Sequence, residues 1–591
     1  MIYLNGKKGS DYMNLINFLE GIFKDILKEL ELEDDVKLAQ SNRPDLGDYQ
    51  YNGCMKLAGI YKKNPRDIAN MIVSKLEETN YFKDVNIAGP GFINVTLSDD
   101  LLIKYINEVN NDFSINTYHI DTDEIIFLDY GGANVAKALH AGHLRSPNIG
   151  EAIKRLSEAI GYKTISDVHL GDWGRPMGLI ICEISKRYPD LPYFDKDYVG
   201  EYPSQCPVTI DELNQIYPYA SSRAKEDNEY LEEAREFTNR LQNKERGIYD
   251  LWKSFYKLSV DDIKRLYTLL GATFDLWEGE ADADPYIKPL LDYLINNNYT
   301  EISNGATVIN VKEENDIREI PPVILIKSNG GVLYDTTELA TLYSRVKRFK
   351  FNKMFYLTDI RQELHFIEAF RAAYKTNIVS KDIDLEWFGF GTMNGPDGKP
   401  FKTRDGGVMS LDELINVVKN ETIKIIKDNV PDEEKDSVAM SLAIAAIKYA
   451  DLLPNRSSDY VFDPIKFSDI NGKTGPYLLY STVRMRSLLN KCDIKKDKYI
   501  KLSTKEERDI IINLLNLKNT MIKAFEQRSL NEICEYLYKL TNSYNAFYSN
   551  VNVNNETDID KKISYITLTN LVYETNMYLL NILGISVPDK I

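Results

Sequence analysis

The spacing of hydrophobic and polar residues changes along the chain and predicts three regions of different secondary structure. Up to about residue 118, stretches with helical spacing such as NLINFLEGIFKDILKEL are mixed with short strand-like runs such as FINVTL. Short apolar runs alternate with helical segments from about residue 125, and helical spacing alone remains after about residue 440. Because these periods distinguish helix from strand, we expect a small α+β domain, an α/β domain and a helical bundle, in that order.

The α/β region opens with a pattern that is typical of a βαβ unit. IIFLDY at 125–130 reads as a buried strand, glycines and a helical segment follow, and KTISDVHLGDWG at 163–174 supplies a second strand and turn. A strand, a helix and a strand in this order predict a parallel sheet. Further strands are predicted in ATVINV, PPVILIKS and KMFYLTD, and the acidic, aromatic stretch from about 185 to 270 predicts an inserted helical segment.

The last region shows helical apolar spacing almost to the end of the chain, which predicts a bundle of about 130 residues. We therefore divide the chain into domains at 1–118, 119–460 and 461–591. The helical segments are SLAIAAIKYADLL, TGPYLLYSTVRMRSLL, IIINLLNLKNTMIKAF, LNEICEYLYKLTNSYNAFYS and LTNLVYETNMYLLNILGI.

The composition narrows the class of protein. A chain of 591 residues is too long for one core, and its content of 43% hydrophobic and 27% charged residues is ordinary for a globular protein. No window reads as a membrane-spanning helix, and the start of the sequence lacks the apolar core of a signal peptide. The five cysteines are scattered without CxxC spacing, which argues against zinc and against a disulfide framework. We expect a cytoplasmic protein with no membrane partner.

The net charge of −17 argues against tight nonspecific binding to nucleic acid, and we expect no DNA partner. One local run has the opposite sign, because residues 484–508 contain nine Lys and Arg against four Asp and Glu. Such a run is typical of an RNA-binding surface and equally typical of a solvated helix face. The acidic chain therefore leaves room for a specific RNA partner.

The segment DYGGANVAKALHAGHLRSPNIG at 129–150 contains two of the five histidines, His140 and His143. A strand, a glycine turn and a helix start bring backbone N–H groups and a positive helix end together, which favours a phosphate group. Two imidazoles three residues apart can point the same way and donate to phosphate oxygens. The alternative is a pair of surface histidines near a helix cap. The helix begins either after Ser146 as N-cap or near His143, with a distortion at Pro147.

Many motifs of the chain, in order, are similar to those of arginyl-tRNA synthetases, a family of class I aminoacyl-tRNA synthetases. NVAKALHAGHLRS followed by IG resembles the first signature of that family. Further matching segments are DYQYN at 48–52, GPGFIN at 89–94, HLGDWG at 169–174, the tyrosine segment at 334–340, QELHF at 362–366, FKTRDGG at 401–407, TGPYLLYSTVR at 474–484 and NAFYSN at 545–550.

The resemblance implies a Rossmann-like parallel-sheet catalytic domain with insertions, a small N-terminal α+β domain and a C-terminal all-helical bundle. It also implies a reaction in which L-arginine and ATP form arginyl-adenylate, and the arginyl group passes to tRNA(Arg). Mg²⁺ would accompany ATP, without a dedicated protein metal site. Such transfers depend on positioning and on charge stabilisation around phosphates.

The resemblance implies that His140 and His143 stabilise the transition state at the α-phosphate and, with Gly142, contact ATP. The resemblance also implies three cations near the phosphates: Lys137, Lys402 and Arg404. The segment KPFKTRDGGVMSL lacks the second lysine that many class I enzymes have after the glycines, as arginyl enzymes often do. This departure leaves open how the work is divided among the three cations.

A selective arginine site needs carboxylates for the planar guanidinium and polar partners for the α-groups. By resemblance, the expected residues are Asp129, Asn134, Tyr334, Glu338 and Gln362. Each of them alone could be a cap or turn residue, and Glu338 alone could lie on an exposed helix. The family usually has aspartate at Glu338, and threonine, glutamine and an aromatic residue at 175–177, where this chain has Arg-Pro-Met.

The resemblance assigns the helical domain to the anticodon region of tRNA and the N-terminal domain to its outer corner. Aromatic rings stack on unpaired bases and cations bind phosphates, so the candidates are Tyr480, Arg484, Asn545 and Tyr548. We expect a monomer. Two other readings remain: a catalytically silent paralogue that binds RNA or arginine as a regulator, and a cofactor nucleotidyltransferase of the HxGH type.

Overall fold

The computed structural model describes residues 15–41, 43, 45–399, 401, 409–427, 430–492 and 499–591. The chain forms two compact units. The first unit combines residues 1–119 with 478–580, and the second combines 120–477 with 581–591.

The strands of the described residues are, in chain order, β1 Leu38–Gln40, β2 Tyr49–Tyr51, β3 Phe82–Ala88, β4 Phe92–Leu97, β5 Ile125–Asp129, β6 Lys163–Asp167, β7 Glu301–Ser303, β8 Ala306–Ile309, β9 Val323–Ile326, β10 Lys353–Asp359, β11 Asp384–Phe390, β12 Met393–Asn394 and β13 Tyr460–Val461.

The α-helices are α1 Leu15–Glu29, α2 Cys54–Tyr61, α3 Pro65–Glu77, α4 Asp99–Asn111, α5 Arg145–Ile160, α6 Arg175–Arg187, α7 Ile210–Glu226, α8 Asn228–Gln242, α9 Arg246–Leu269, α10 Glu280–Asn296, α11 Tyr334–Arg348, α12 Glu363–Lys375, α13 Leu411–Thr422, α14 Asp432–Leu452, α15 Pro464–Phe467, α16 Gly475–Lys491, α17 Lys505–Leu514, α18 Leu517–Glu526, α19 Asn531–Asn550 and α20 Ile559–Ile582.

The first unit contains an antiparallel sheet in the order β1-β2-β4-β3 and most of the C-terminal helices. Its α1 begins at Leu15 and buries one side, including Leu19, Phe23 and Ile26, as the helical spacing of the sequence predicts. The predicted strand FINVTL is β4. This unit confirms the mixed and helical character that we expect for the two ends of the chain.

The second unit is built on a parallel sheet in the order β11-β10-β5-β6. The helix α5 connects β5 to β6, so the predicted βαβ unit and parallel sheet are confirmed. The chain later returns to the other side of β5 and adds β10. The strand order therefore reverses between β5 and β10, and open parallel sheets bind ligands at the carboxyl ends of strands next to such a reversal.

The second unit also contains two smaller sheets. The strands β7, β8 and β9 form a separate antiparallel sheet, and β12 pairs with β13. The predicted inserted helical stretch corresponds to α7, α8 and α9. The apolar pattern of the sequence did not predict the strand β11. The segment IIINLLNLKNTMIKAF forms two helices, α17 and α18, because the helix breaks at Leu515 and Asn516.

The start of α5 resolves the alternatives that the sequence leaves open. A short 3-10 turn covers Ala141–His143, and α5 begins at Arg145 with Pro147 in its first turn, where a proline costs no backbone hydrogen bond. Ser146 is therefore not the N-cap. Its hydroxyl accepts the Gly131 N–H at 2.7 Å and donates to the Leu357 carbonyl at 3.1 Å, which ties the glycine turn to β10.

Candidate active site

Acidic residues end neighbouring strands of the parallel sheet. Asp129 is the last residue of β5, and Asp167 is the last residue of β6 and its partner in register. Both lie at the carboxyl edge of the sheet. Two buried carboxylates therefore lie beside the point where the strand order reverses.

Asp129 is not free to bind a ligand with both oxygens. Arg345 from α11 donates from Nη1 to Oδ2 of Asp129 at 2.7 Å and from Nη2 to Oδ2 of Asp167 at 2.5 Å. The guanidinium is 1% exposed and Asp129 is 7% exposed. Burial raises the pKa of Asp129 and opposes the effect of Arg345, whereas interactions led by the Arg345 charge hold the pKa of Asp167 down despite its burial. Asp129, which we expect to bind substrate, is thus already paired with Arg345 inside the protein.

Glu338 lies on the same helix as Arg345, and its carboxylate is buried. The residue is 4% exposed, and its Oε1 has no hydrogen-bond partner among the described residues. Burial raises the pKa of Glu280, at the start of α10, and the Glu338 charge adds to this shift as it does for Asp129. We call Asp129, Glu280 and Glu338 the carboxylate pocket. It offers negative charge, including one unsatisfied buried oxygen, to a cationic ligand.

Tyr334 begins α11, one helical turn before Glu338, and is 48% exposed. Its ring lies 4.9 Å from the ring of His365, whose Nδ1 is 2.9 Å from Oδ1 of Asp335. Gln362 is exposed and directly precedes α12, three residues before His365. The structure thus brings the tyrosine segment and the QELHF motif together through Tyr334 and His365, and leaves Gln362 at the surface.

Asn134 lies in the glycine turn that follows β5, and it is exposed. It forms a parallel bridge with Gly171 of the HLGDWG segment. A Cβ on Gly171 would lie 2.3 Å from Oδ1 of Asn134, so this approach requires glycine. The two motifs are therefore adjacent in space beside the carboxyl edge of the sheet.

The two histidines form a closed turn with defined ring orientations. Gly142 N–H donates to Nδ1 of His140 at 3.1 Å, and His140 N–H donates to Nδ1 of His143 at 3.0 Å. The ring centroids are 3.8 Å apart. Because each Nδ1 accepts a backbone hydrogen, a neutral ring carries its proton on Nε2. A Cβ on Gly142 would lie 2.9 Å from the His140 ring, so glycine is needed for this turn.

Burial keeps both imidazoles neutral. It lowers the pKa of His140 to about 4 and that of His143 to about 3, and the charge of Lys137 acts in the same direction on both. Lys137 is half-buried, as is His140. The turn therefore presents two neutral Nε2–H donors beside one cation, a combination that suits phosphate oxygens.

The described flanks of the segment KPFKTRDGGVMSL lie beside this turn. Ala141 N–H donates to the Met409 carbonyl at 3.0 Å, Leu411 N–H donates to the Leu139 carbonyl at 2.8 Å, and Met409 N–H donates to the Phe401 carbonyl at 3.2 Å. Lys402 and Arg404 lie outside the described residues. The described flanks place the two ends of that segment next to His140.

The four candidates for RNA contact form one cluster in the first unit. The Arg484 guanidinium donates to Oδ1 of Asn545 and lies 4.4 Å from the Tyr548 ring centroid and 5.9 Å from that of Tyr480. All four side chains are half-buried. We call Tyr480, Arg484, Asn545 and Tyr548 the Arg484 cluster.

The unusual Arg-Pro-Met segment begins α6. Arg175 is exposed, Pro176 occupies an early helical position that favours proline, and Met177 is buried in a core with Leu139 and Trp252. The substitution is thus compatible with a regular helix start, and Asp172 and Trp173 beside it are buried.

Four residues of this region were not identified as site residues from the sequence. Asp167 follows the same rule as Asp129, since both end parallel strands, and Arg345 lies two helical turns after Glu338 on the same side of α11. His169 begins the HLGDWG segment, but it was assigned no role from the sequence, and no pattern around Glu280 indicated a site. His169 has a left-handed backbone with φ 38° and a buried Nδ1 with no partner among the described residues.

Within the described residues, no helix has the length and apolar character to cross a membrane. No group of three or more His, Cys, Asp or Glu side chains is arranged to hold a metal ion in the same part of the chain.

Comparison with known families covers most of the chain. The model described as "tRNA synthetases class I (R), catalytic domain" matches residues 109–464. "Arginyl tRNA synthetase N terminal domain" matches 17–97, and "DALR anticodon binding domain" matches 478–591. The first of these models alone covers more than half of the sequence.

Individual relatives match over almost the full length. The arginine–tRNA ligase of Alkaliphilus oremlandii is 44% identical over 556 residues, covering 93% of this chain and 95% of the relative. That of Agathobacter rectalis is 42% identical over 572 residues, covering 94% and 96%. The arginyl-tRNA synthetase structure of Plasmodium falciparum has a TM-score of 0.78 at 25% identity, covering 98% and 99%. The chain belongs to the arginyl-tRNA synthetase family of class I aminoacyl-tRNA synthetases.

Proposed function

We propose that this protein ligates L-arginine to tRNA(Arg) with ATP, through an arginyl-adenylate intermediate, for protein synthesis. The observation that carries the proposal is the unpartnered, buried Oε1 of Glu338 in a pocket of carboxylates at the carboxyl edge of the sheet. A buried carboxylate without a partner is unfavourable, and a guanidinium with several donors relieves it. Full-length relatives that are named arginine–tRNA ligases support the same activity.

Arginine binds with its two ends in different surroundings. The α-carboxylate must reach ATP beside the histidine turn, so the α-groups bind near Asp129 and Asn134, at the start of that turn. The guanidinium then extends to Glu338, with Tyr334 and Gln362 as further partners. The charged groups of the substrate thus meet the charged groups of the pocket at both ends.

In the first step an arginine carboxylate oxygen attacks the α-phosphorus of ATP, and pyrophosphate leaves. The Nε2–H groups of His140 and His143 donate to the α-phosphate oxygens, and Gly142 leaves space beside them. Three cations balance the phosphate charge: Lys137, Lys402 and Arg404. Mg²⁺ enters with ATP as part of the substrate, and zinc has no role. In the second step a ribose hydroxyl at the 3′ end of the tRNA attacks the arginyl carbonyl and AMP leaves.

The tRNA is recognised by the outer domains. We assign the outer corner of tRNA(Arg) to domain 1–118, catalysis to domain 119–460 and the anticodon region to domain 461–591. The Arg484 cluster supplies stacking rings and a cation for unpaired bases. The protein acts as a monomer in the cytoplasm, without DNA or membrane partners.

The test is arginine-dependent exchange of pyrophosphate into ATP, measured with and without tRNA(Arg). We expect exchange, and a requirement for tRNA would place the tRNA in the assembly of the active site. Failure of exchange in both conditions, with tRNA(Arg) still bound in a filter assay, would contradict the proposal and would instead support the silent paralogue.

A further inference from the structure

Arg345 is a fully buried cation whose two terminal nitrogens bind two different carboxylates. Its guanidinium joins Oδ2 of Asp129 at 2.7 Å to Oδ2 of Asp167 at 2.5 Å. The guanidinium carbon lies 4.9 Å from the Phe127 ring centroid and 5.9 Å from that of Tyr356. The position of the cation is thus fixed by two ion pairs and two aromatic rings.

The two carboxylates need such a cation. Asp129 and Asp167 face each other in register at the ends of adjacent parallel strands, and both are buried. Two neighbouring buried carboxylates repel each other and favour protonation. Asp167 has a further partner in the Glu278 N–H at 3.1 Å, whereas Arg345 is the side chain that binds Asp129.

We infer that Arg345 is a positioning residue for the arginine substrate, which fixes Oδ2 of Asp129 and leaves Oδ1 for the substrate's α-ammonium. The inference rests on the proposed assignment of Asp129 to the arginine site. The fork engages Oδ2 alone, so one oxygen sets the orientation and the other remains for a ligand. Arg345 itself does not contact the substrate.

Lysine cannot replace arginine in this role. An ammonium is a point charge without the planar fork, so it cannot hold both carboxylates in the observed geometry, and it stacks less well between Phe127 and Tyr356. Arg345→Lys keeps the charge and most of the volume. It should therefore lose orientation of Asp129 while the surrounding core is largely retained.

The experiment measures KM for arginine, KM for ATP and kcat by pyrophosphate exchange with tRNA(Arg), after titration of active sites. For Arg345→Lys we expect KM for arginine to rise by about 10- to 100-fold, with kcat and KM for ATP changed by less than about threefold. Arg348→Lys is the matched control, because Arg348 lies on the same helix and pairs with Glu278; its constants should equal those of the wild type. An unchanged KM for arginine in Arg345→Lys would overturn the inference.

The pH dependence separates positioning from general damage. Burial already raises the pKa of Asp129, and Arg345 opposes that rise. If the lysine holds Asp129 less well, this pKa increases further and the neutral form gains as pH falls. KM for arginine in Arg345→Lys should therefore rise more steeply than in the wild type as pH falls. The same dependence of KM for arginine on pH in the variant and in the wild type would contradict the inference.

Two more variants make the result decisive. In Asp129→Asn with Arg345→Lys, KM for arginine should equal that of Asp129→Asn alone, because Arg345 acts through Asp129. An unchanged KM in Asp129→Asn would reject the site assignment itself. If Arg345→Lys gives no folded protein, Asp167→Asn is measured, because it removes one of the two ion pairs that fix Arg345. KM for arginine should then rise by about three- to tenfold with KM for ATP unchanged; an unchanged KM for arginine would overturn the inference.

Discussion

The carboxylate pocket of the second unit and the Arg484 cluster of the first unit arrange their polar groups in opposite ways. In the pocket, Oε1 of Glu338 is buried without a partner among the described residues. In the cluster, Arg484 already binds Asn545 and lies over the Tyr548 ring, and the side chains are half-buried. A buried unsatisfied charge discriminates strongly between ligands, whereas a partly solvated, self-paired cluster contributes moderately to affinity.

The comparison predicts its largest effect for the choice of amino acid. Citrulline has the shape of arginine but a neutral end group, so it would leave the buried Glu338 charge unpaired. We expect its kcat/KM in pyrophosphate exchange to be lower than that of arginine by about 10⁴-fold. Lysine, which has the charge without the planar fork, should also be a poor substrate. An exchange rate with citrulline or lysine that is comparable to the rate with arginine would contradict the proposed pocket.

The next largest effect is expected for Glu338→Gln, which removes the charge and keeps the shape. Loss of one partner from a buried ion pair should lower kcat/KM for arginine by about 10³-fold. The same change should raise, or leave unchanged, the melting temperature of the free protein, because the unpaired carboxylate destabilises it. Glu229→Gln, on the exposed side of α8, is the control. Loss of stability together with activity would indicate a structural role for Glu338.

A smaller effect is expected from His140→Ala. Removing one preorganised donor to the phosphate should lower kcat for arginine activation by about 10²-fold, with little change in KM for arginine. Because burial lowers the pKa of His140 to about 4, the neutral ring is the active form at neutral pH. His119→Ala, at an exposed position, should behave as the wild type. A variant with normal kcat would mean that the turn does not stabilise the transition state.

The smallest effect is expected in the Arg484 cluster. Tyr548→Leu removes the ring beneath Arg484 and should raise KM for tRNA(Arg) by about tenfold, the range found for one stacked base. KM for arginine should not change. Tyr219→Leu, which alters an exposed tyrosine of α7, provides the control. Equal KM values for tRNA in both variants would remove Tyr548 from the proposed RNA surface.

The sequence predicted those parts of the fold that depend on local pattern. The uninterrupted apolar run at 125–130 identified β5, and helical spacing identified α1 and α5. The strand β11 was missed, since DLEWFGF mixes acidic and aromatic residues without clear alternation. The break between α17 and α18 was missed because the apolar spacing continues through it.

The site shows the same division between local and distant information. Motifs indicated Asp129 and Glu338 as candidate site residues, but the partner of Asp129 lies 216 residues away in Arg345, and no local pattern indicates that pairing. Glu338 is a candidate for charge recognition because its carboxylate is buried, and this burial depends on the packing of the second unit. The orientation of the His140 ring likewise depends on backbone hydrogens that the HxGH spacing does not specify.

The most direct test is the ratio of kcat/KM for arginine to that for citrulline, in the wild type and in Glu338→Gln. The neutral amide can no longer distinguish a charged end group from a neutral one, so the ratio should fall by about 10²-fold or more in the variant. A ratio that stays at the wild-type value while both substrates lose activity equally would contradict the claim that the Glu338 carboxylate recognises the guanidinium.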